Sequence, residues 1–197
     1  MDYNDDWDIS TAFTRGRNAL VVIKTGSGGT VEGYKGKYKA LAEKIHTDTG
    51  FAVLVADNPA QAEKEANFDV TMTATEFSMD VTDTDDGSEL PVYYIGFSSA
   101  AAMGAMYGYK YPYISRMLLI NPPLMINWHK IKTGLEKYSG EKAEVLIGSL
   151  DPSYKYLGLL EFLVSNNLTV LEGQGMDHHL SGNEDELYAI ISIFLKQ

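Results

Sequence analysis

The chain contains no cysteine, which rules out a disulfide framework and any thiolate metal site, and this composition fits a reducing compartment. It is also short of basic charge. Sixteen Lys and Arg face 27 Asp and Glu, for a net charge of −11. Nucleic acid and anionic membrane both need clustered cations, so neither is expected as a partner. No apolar run approaches the roughly 20 residues of a membrane span. The first residues, Met1 to Asp8, are acidic where a secretory signal is basic and then apolar. A soluble, cytoplasmic protein is the expectation. There is no internal repeat, no low-complexity tract and no linker, so residues 1–197 read as a single domain large enough to bury a core.

Much of the acid falls in two clusters, Asp2 to Asp8 and Asp80 to Glu89, both read as solvated loops. The Asp83 to Gly87 segment has a faint likeness to a calcium loop. The glutamate required at the twelfth position is missing, because Tyr94 stands there. No metal is expected. The methionines at 103, 106 and 117 read as core filler.

What the chain does have is an alternation of short apolar runs with helix-period segments, the mark of a parallel sheet with crossover helices. Leu20 to Ile23, Phe51 to Val55, Val92 to Ile95, Met117 to Ile120, Ala143 to Ile147 and Leu168 to Leu171 read as strands. Tyr34, Tyr38, Leu41 and Ile45 share one helix face that ends near Gly50, and Leu187, Ile190, Ile191 and Phe194 form another stripe after Asn183. Residues 60–90 are harder to read. A helix is predicted from Pro59 to about Asn67, and the Thr-rich stretch beyond it has weak propensity, though topology asks for a helix there. The fold class is α/β: a mainly parallel, six- to seven-stranded sheet with helices on both faces.

The stretch Val92 to Ala102 carries the most chemistry. An apolar run stops at Gly96, one residue intervenes, then comes Ser98, and small residues suited to opening a helix follow. Gly96, Ser98 and Ala100 match the nucleophile-elbow spacing, in which a strained serine demands small neighbours two before and two after it. A chain of this length shows that pattern by chance roughly once in seven, and an N-capping serine would look similar. Further residues have to decide.

Asp151 follows the strand Ala143 to Ile147, and the pair His178 and His179 follows the strand Leu168 to Leu171. The order Ser, Asp, His differs from the other well-known triad orders. On these residues the whole chain resembles the α/β-hydrolase superfamily, as a small member without a cap. Gly148 to Asp151 is similar to the family's acid turn, and Gly175 to Leu180 to its histidine loop. The resemblance implies Ser98 as nucleophile, Asp151 as triad acid and His178, rather than His179, as base. Asp151 before Pro152 also suits a helix start, and the two roles can coexist.

The resemblance further places half of an oxyanion hole in the loop Thr25 to Gly29. The donors would be the N–H of Ser27 or Gly28, together with the N–H of Ser99. The family commonly has His-Gly where this chain has Thr25-Gly26. A dinucleotide fingerprint would need glycine in place of Val31, and no P-loop Gly-Lys-Ser/Thr is present. Met125 and Trp128 are candidates for a substrate wall, with inward core packing as the alternative. A single helix, Trp128 to Lys137, fits the interval where relatives insert lids.

Together these imply a carboxylesterase-like serine hydrolase that cleaves a small-molecule acyl substrate without a cofactor. Thioesterase, acyltransferase and peptidase chemistry would use the same triad. The alternative from another class is a non-catalytic binding protein on the same fold.

Overall fold

The computed structural model describes residues 8–165 and 167–196, so most of the acidic stretch Asp2 to Asp8 lies outside the described residues. The elements run β1 (Thr11–Thr14), β2 (Leu20–Lys24), α1 (Lys37–Thr49), β3 (Ala52–Ala56), α2 (Lys64–Met79) and β4 (Val92–Phe97). They continue α3 (Ser99–Tyr107), β5 (Ile114–Ile120), α4 (Trp128–Lys137), β6 (Lys142–Gly148), α5 (Leu157–Glu161), β7 (Leu168–Gly173) and α6 (Glu184–Lys196).

The strands form one seven-stranded sheet in the order β1-β3-β2-β4-β5-β6-β7. Strands β2 to β7 are parallel, and β1 is added antiparallel along β3. Sequence patterning had no hold on β1, whose only apolar residues are Ala12 and Phe13. The six residues of β4 are all buried, because helices cover both of its faces. On one face α1 and α6 contribute Leu41, Ile45, Leu187, Ile191 and Phe194 to a core with Val21, Ile23 and Ile95. On the other, α2, α3, α4 and α5 contribute Phe68, Met103, Ile131 and Leu160 against Val22, Tyr94 and Leu119. Met103, Met106 and Met117 all lie in this second core. Each fully buried aliphatic side chain adds about 1.5–3 kcal/mol.

The expected helix from Pro59 to Asn67 is corrected. It begins at Lys64, where the Glu63 carboxylate accepts from the Ala66 amide, and it runs through the Thr-rich stretch to Met79. Local propensity is overruled by burial and by satisfied hydroxyls. Asn67, Phe68, Thr71, Met72 and Thr75 face inward. The hydroxyls of Thr71, Thr73, Thr75 and Ser78 donate to carbonyls one turn back, at Asn67, Asp69, Thr71 and Ala74. The acids from Asp80 to Glu89 are exposed.

After β2 the chain places β3 on one side and then crosses to lay β4 on the other. Between β2 and β4 the carboxyl ends of two neighbouring strands therefore open into a crevice, the usual ligand position in such sheets. The Thr25 to Gly29 loop and Ser98 stand there. Among the described residues no helix is long and apolar enough to cross a membrane.

Helices α3 and α4 cross where a β-carbon on Gly134 would lie 2.1 Å from the Ala105 carbonyl oxygen and 2.7 Å from that of Met106. Backbone cannot yield as a side chain can. Gly134→Ala should lower the free energy of unfolding by about 1–3 kcal/mol, read as a lower urea midpoint at unchanged slope. Gly158→Ala is the control, since its β-carbon would meet nothing closer than Glu161 Oε2 at 4.0 Å.

Candidate active site

Ser98 lies between the end of β4 and the start of α3 with φ 52° and ψ −116°, a conformation that L-residues rarely adopt. A β-carbon on Gly96 would fall 2.8 Å from the Ala100 carbonyl oxygen and 2.8 Å from the Ala101 amide, so only glycine lets strand and helix meet there. Ala100 is wholly buried. The Ser98 amide donates to the Ile120 carbonyl at 2.8 Å, which fastens the elbow to β5. Its hydroxyl makes no capping bond to α3. Ser98 Oγ lies instead 2.9 Å from His178 Nε2.

His178 Nδ1 lies 2.5 Å from Asp151 Oδ2. The Asp151 carboxylate is almost wholly buried, and its other oxygen accepts from the Ser153 amide at 2.6 Å. Asp151 thus orders its own turn and pairs with the imidazole, whereas the helix start expected at Pro152 comes later, at Tyr154 with Ser153 as its cap residue. The hydrogen bond to Asp151 raises the His178 pKa above its ordinary 6.5, while partial burial and the Lys37 charge oppose that rise. His179 has no hydrogen bond to Ser98 or Asp151 among the described residues. Its ring packs edge-on against His178, with centroids 5.5 Å apart, and its carbonyl accepts from Lys37.

Asn121, read in the sequence only as the end of a strand, ties the two loops together. It is 1 % exposed and has φ 50°. Its Oδ1 accepts from the Gly148 amide at 2.8 Å, and its Nδ2 donates to the Asp177 carbonyl at 3.0 Å. The acid turn and the histidine loop are therefore fixed to one side chain. An Asn directly after a buried strand and before Pro122-Pro123 was the available signal, but its partners lie 27 and 56 residues away.

Of the two alternatives in the glycine-rich loop, Gly28 is excluded as a free donor because its amide is taken by the Asn58 carbonyl at 2.7 Å. The amides of Ser27 and Ser99 have no partner among the described residues. Gly26 sits beside the elbow, with its β-carbon position 3.5 Å from Ser98 Cβ. Beneath this loop the side chain of Lys24 is wholly buried, and burial pulls its pKa down to about 7 against the opposing charge of Asp57.

A cavity of about 1290 Å³ opens beside Ser98 and His178, between the N-terminal ends of α1 and α6. Tyr38, Leu41, Phe97, Leu187 and Tyr188 supply much of its apolar wall. Met125 and Trp128 do not line it, which corrects the expected substrate wall. Met125 is 54 % exposed, and Trp128 packs against the core on the opposite face of the sheet together with the buried Leu124. Leu124 and Trp128 turn inward onto the core beside α3 and α4, while Met125 and Ile126 face outward. Between β5 and β6 the only helix is α4, Trp128–Lys137. Among the described residues no group of three acidic or histidine side chains is placed to hold a metal ion.

No family model matches the chain, and no curated protein matches its sequence. Solved structures do match its fold. Est1E from Butyrivibrio proteoclasticus superposes with a TM-score of 0.75 at 12 % identity, covering 95 % of this chain and 93 % of that one. A dienelactone hydrolase from Anabaena variabilis gives 0.70 at 14 % identity, over 97 % and 92 %. The esterase Pf2001 of Pyrococcus furiosus gives 0.71 at 11 % identity, over 96 % and 92 %. The chain shares the α/β-hydrolase fold of these structures.

The elbow geometry yields a stability test. Gly96→Ala should destabilise the protein by about 1–3 kcal/mol through overpacking against α3, measured by chemical denaturation. A neutral result would mean that Ser98 does not need its present backbone conformation.

Proposed function

We propose that this protein is a serine hydrolase that cleaves small esters or related acyl substrates through an acyl-enzyme. The observation that carries the reading is the unbroken line from Ser98 Oγ to His178 Nε2 and from His178 Nδ1 to Asp151 Oδ2, at 2.9 and 2.5 Å, on a strained elbow. Distant likeness to esterases and hydrolases agrees with it.

In this mechanism Ser98 Oγ attacks the substrate carbonyl as His178 Nε2 accepts its proton. The buried Asp151 carboxylate keeps the other proton on Nδ1 and stabilises the imidazolium that forms. Negative charge growing on the carbonyl oxygen is met by the amides of Ser27 and Ser99, which have no partner among the described residues. The tetrahedral intermediate collapses as His178 gives its proton to the leaving oxygen. Water then repeats the cycle on the acyl-enzyme and releases the acid. No step calls on a cofactor. The cavity beside Ser98 offers room for an acyl or alcohol group against Tyr38, Leu41 and Leu187.

A fluorophosphonate probe should label the native protein at Ser98, with labelling lost in Ser98→Ala. On a p-nitrophenyl ester, Ser98→Ala and His178→Ala should each lose roughly four orders of magnitude or more in kcat. His179→Ala should stay within about tenfold of the parent, as expected of a neighbour outside the proton path. Labelling that persists in Ser98→Ala, or maps to Ser99, refutes the assignment.

The pH profile follows from the direction of the His178 shift. Only the neutral imidazole accepts the serine proton, and its raised pKa keeps it protonated to higher pH than an isolated histidine. The acidic limb of kcat/KM should therefore fall above pH 6.5, with activity lost as pH drops through it. In Asp151→Asn the hydrogen bond to the charged partner is gone, so the limb should move to lower pH on a plateau about 10⁴-fold lower. An acidic limb that does not move in Asp151→Asn would exclude His178 as the titrating base.

A further inference from the structure

Under the glycine-rich loop lies a buried polar chain that the proposed mechanism does not use. Lys24 Nζ, at the end of β2, donates to the Asp57 carbonyl at 2.5 Å and to Asn67 Oδ1 at 2.6 Å. Asn67 Nδ2, on α2, donates to Asn58 Oδ1 at 2.8 Å. Asn58 Nδ2 in turn donates to the Thr25 carbonyl at 2.9 Å and to Ser99 Oγ at 2.8 Å. The Asn58 backbone adds two contacts, accepting from the Gly28 amide at 2.7 Å and donating to the Gly29 carbonyl at 3.0 Å. Lys24, Asn67 and Asn58 are each at most 1 % exposed. No buried side-chain nitrogen or oxygen among the described residues lacks a partner.

We propose that Asn58 is the positioning residue of the oxyanion site, and that Lys24 and Asn67 fix the direction in which its amide points. The inference rests on the hydrolase reading above. Asn58 hydrogen-bonds to both halves of the site. It holds the Thr25 to Gly29 loop at three points, and it holds Ser99 through that residue's hydroxyl. The Ser27 amide lies between the clasped Thr25 and Gly28, and the Ser99 amide belongs to the clasped serine. One buried residue therefore bridges the segments that carry the two amides, and its side chain makes the link to Ser99.

Direction matters because an asparagine amide can present either end. The Lys24 amine donates its N–H groups, so Asn67 turns its oxygen toward Lys24 and its NH₂ toward Asn58. Asn58 must then offer oxygen to Asn67 and NH₂ to Thr25 and Ser99. Reversed, Asn58 would set its oxygen against the Thr25 carbonyl, two acceptors face to face in a dry site. The buried lysine thus gives the relay its polarity. Such rigidity suits the purpose, because oxyanion donors act through preorganisation and lose their effect when they drift.

The test is a double-variant cycle of Asn58→Ala and Ser99→Ala, read by kinetics and by affinity for a trifluoromethyl ketone that mimics the tetrahedral intermediate. Asn58→Ala should lower kcat roughly 10- to 100-fold, less than outright removal of an oxyanion donor, with KM within about threefold. Ketone affinity should fall in step with kcat/KM. Ser99→Ala should cost less, and the double variant no more than Asn58→Ala, because the two act as one unit. Asn58→Asp, nearly the same size, replaces Asn58→Ala if that protein does not fold, and should show the same pattern. Intact kcat, lost kcat with unchanged ketone affinity, or additive losses would each overturn the inference. If fluorophosphonate labels Ser98 in the parent while the Asn58 variants behave normally, this inference fails alone. If the parent is not labelled at Ser98, it fails together with the hydrolase reading.

Discussion

The close approach of β4 and α3 at Gly96 and Ala100 is the constraint on which the rest of the site depends. It forces Ser98 into φ 52° and ψ −116°, a conformation that costs on the order of 1–3 kcal/mol and persists only where the surroundings over-determine it. Those surroundings are identifiable. The Tyr94 hydroxyl, on the fully buried strand, donates to the Ala100 carbonyl. The Ser98 amide is held by Ile120, and Gly104 leaves space for the Tyr94 ring where a β-carbon would sit 2.6 Å from it. The strain lifts the hydroxyl off the helix end, where it would have been a cap, and turns it toward His178.

Around that point the remaining parts are carried by loops, and loops need fasteners. Two asparagines supply them at the carboxyl edge of the sheet. Asn121, after β5, binds the acid turn at Gly148 and the histidine loop at Asp177. Asn58, after β3, binds the glycine-rich loop and Ser99. Each uses its side-chain amide as a donor and an acceptor at once, which lets one buried residue join two segments far apart in the chain. The result is a buried, cross-tied frame under an accessible cavity.

The cavity lies on the α1 and α6 side of the sheet, while the segment before α4 packs on the other. This division follows from which apolar residues each layer needs. Leu124 and Ile131 are consumed by the core with α3, so the wall near Ser98 is left to Tyr38, Leu41 and Leu187.

The sequence by itself determined the six parallel strands and put Ser98, Asp151 and His178 beyond their carboxyl ends. Continuous apolar runs are what strands covered on both faces require, and the spacing of Gly96, Ser98 and Ala100 is what a strained elbow requires, so both are local signals. Asp151 and His178 were legible because each directly follows such a strand. Only tertiary structure decided the rest. The edge strand β1 exists because β3 offers it hydrogen bonds, not because Thr11 to Thr14 has any pattern. The Thr-rich stretch is helical because one face is buried and its hydroxyls find carbonyls a turn away. Gly28 lost its amide to Asn58, Trp128 turned into the core, and Lys24, Asn58 and Asn121 acquired partners 27 to 56 residues distant. A buried polar residue takes its meaning from what faces it across the fold, and no local period or propensity encodes that partner.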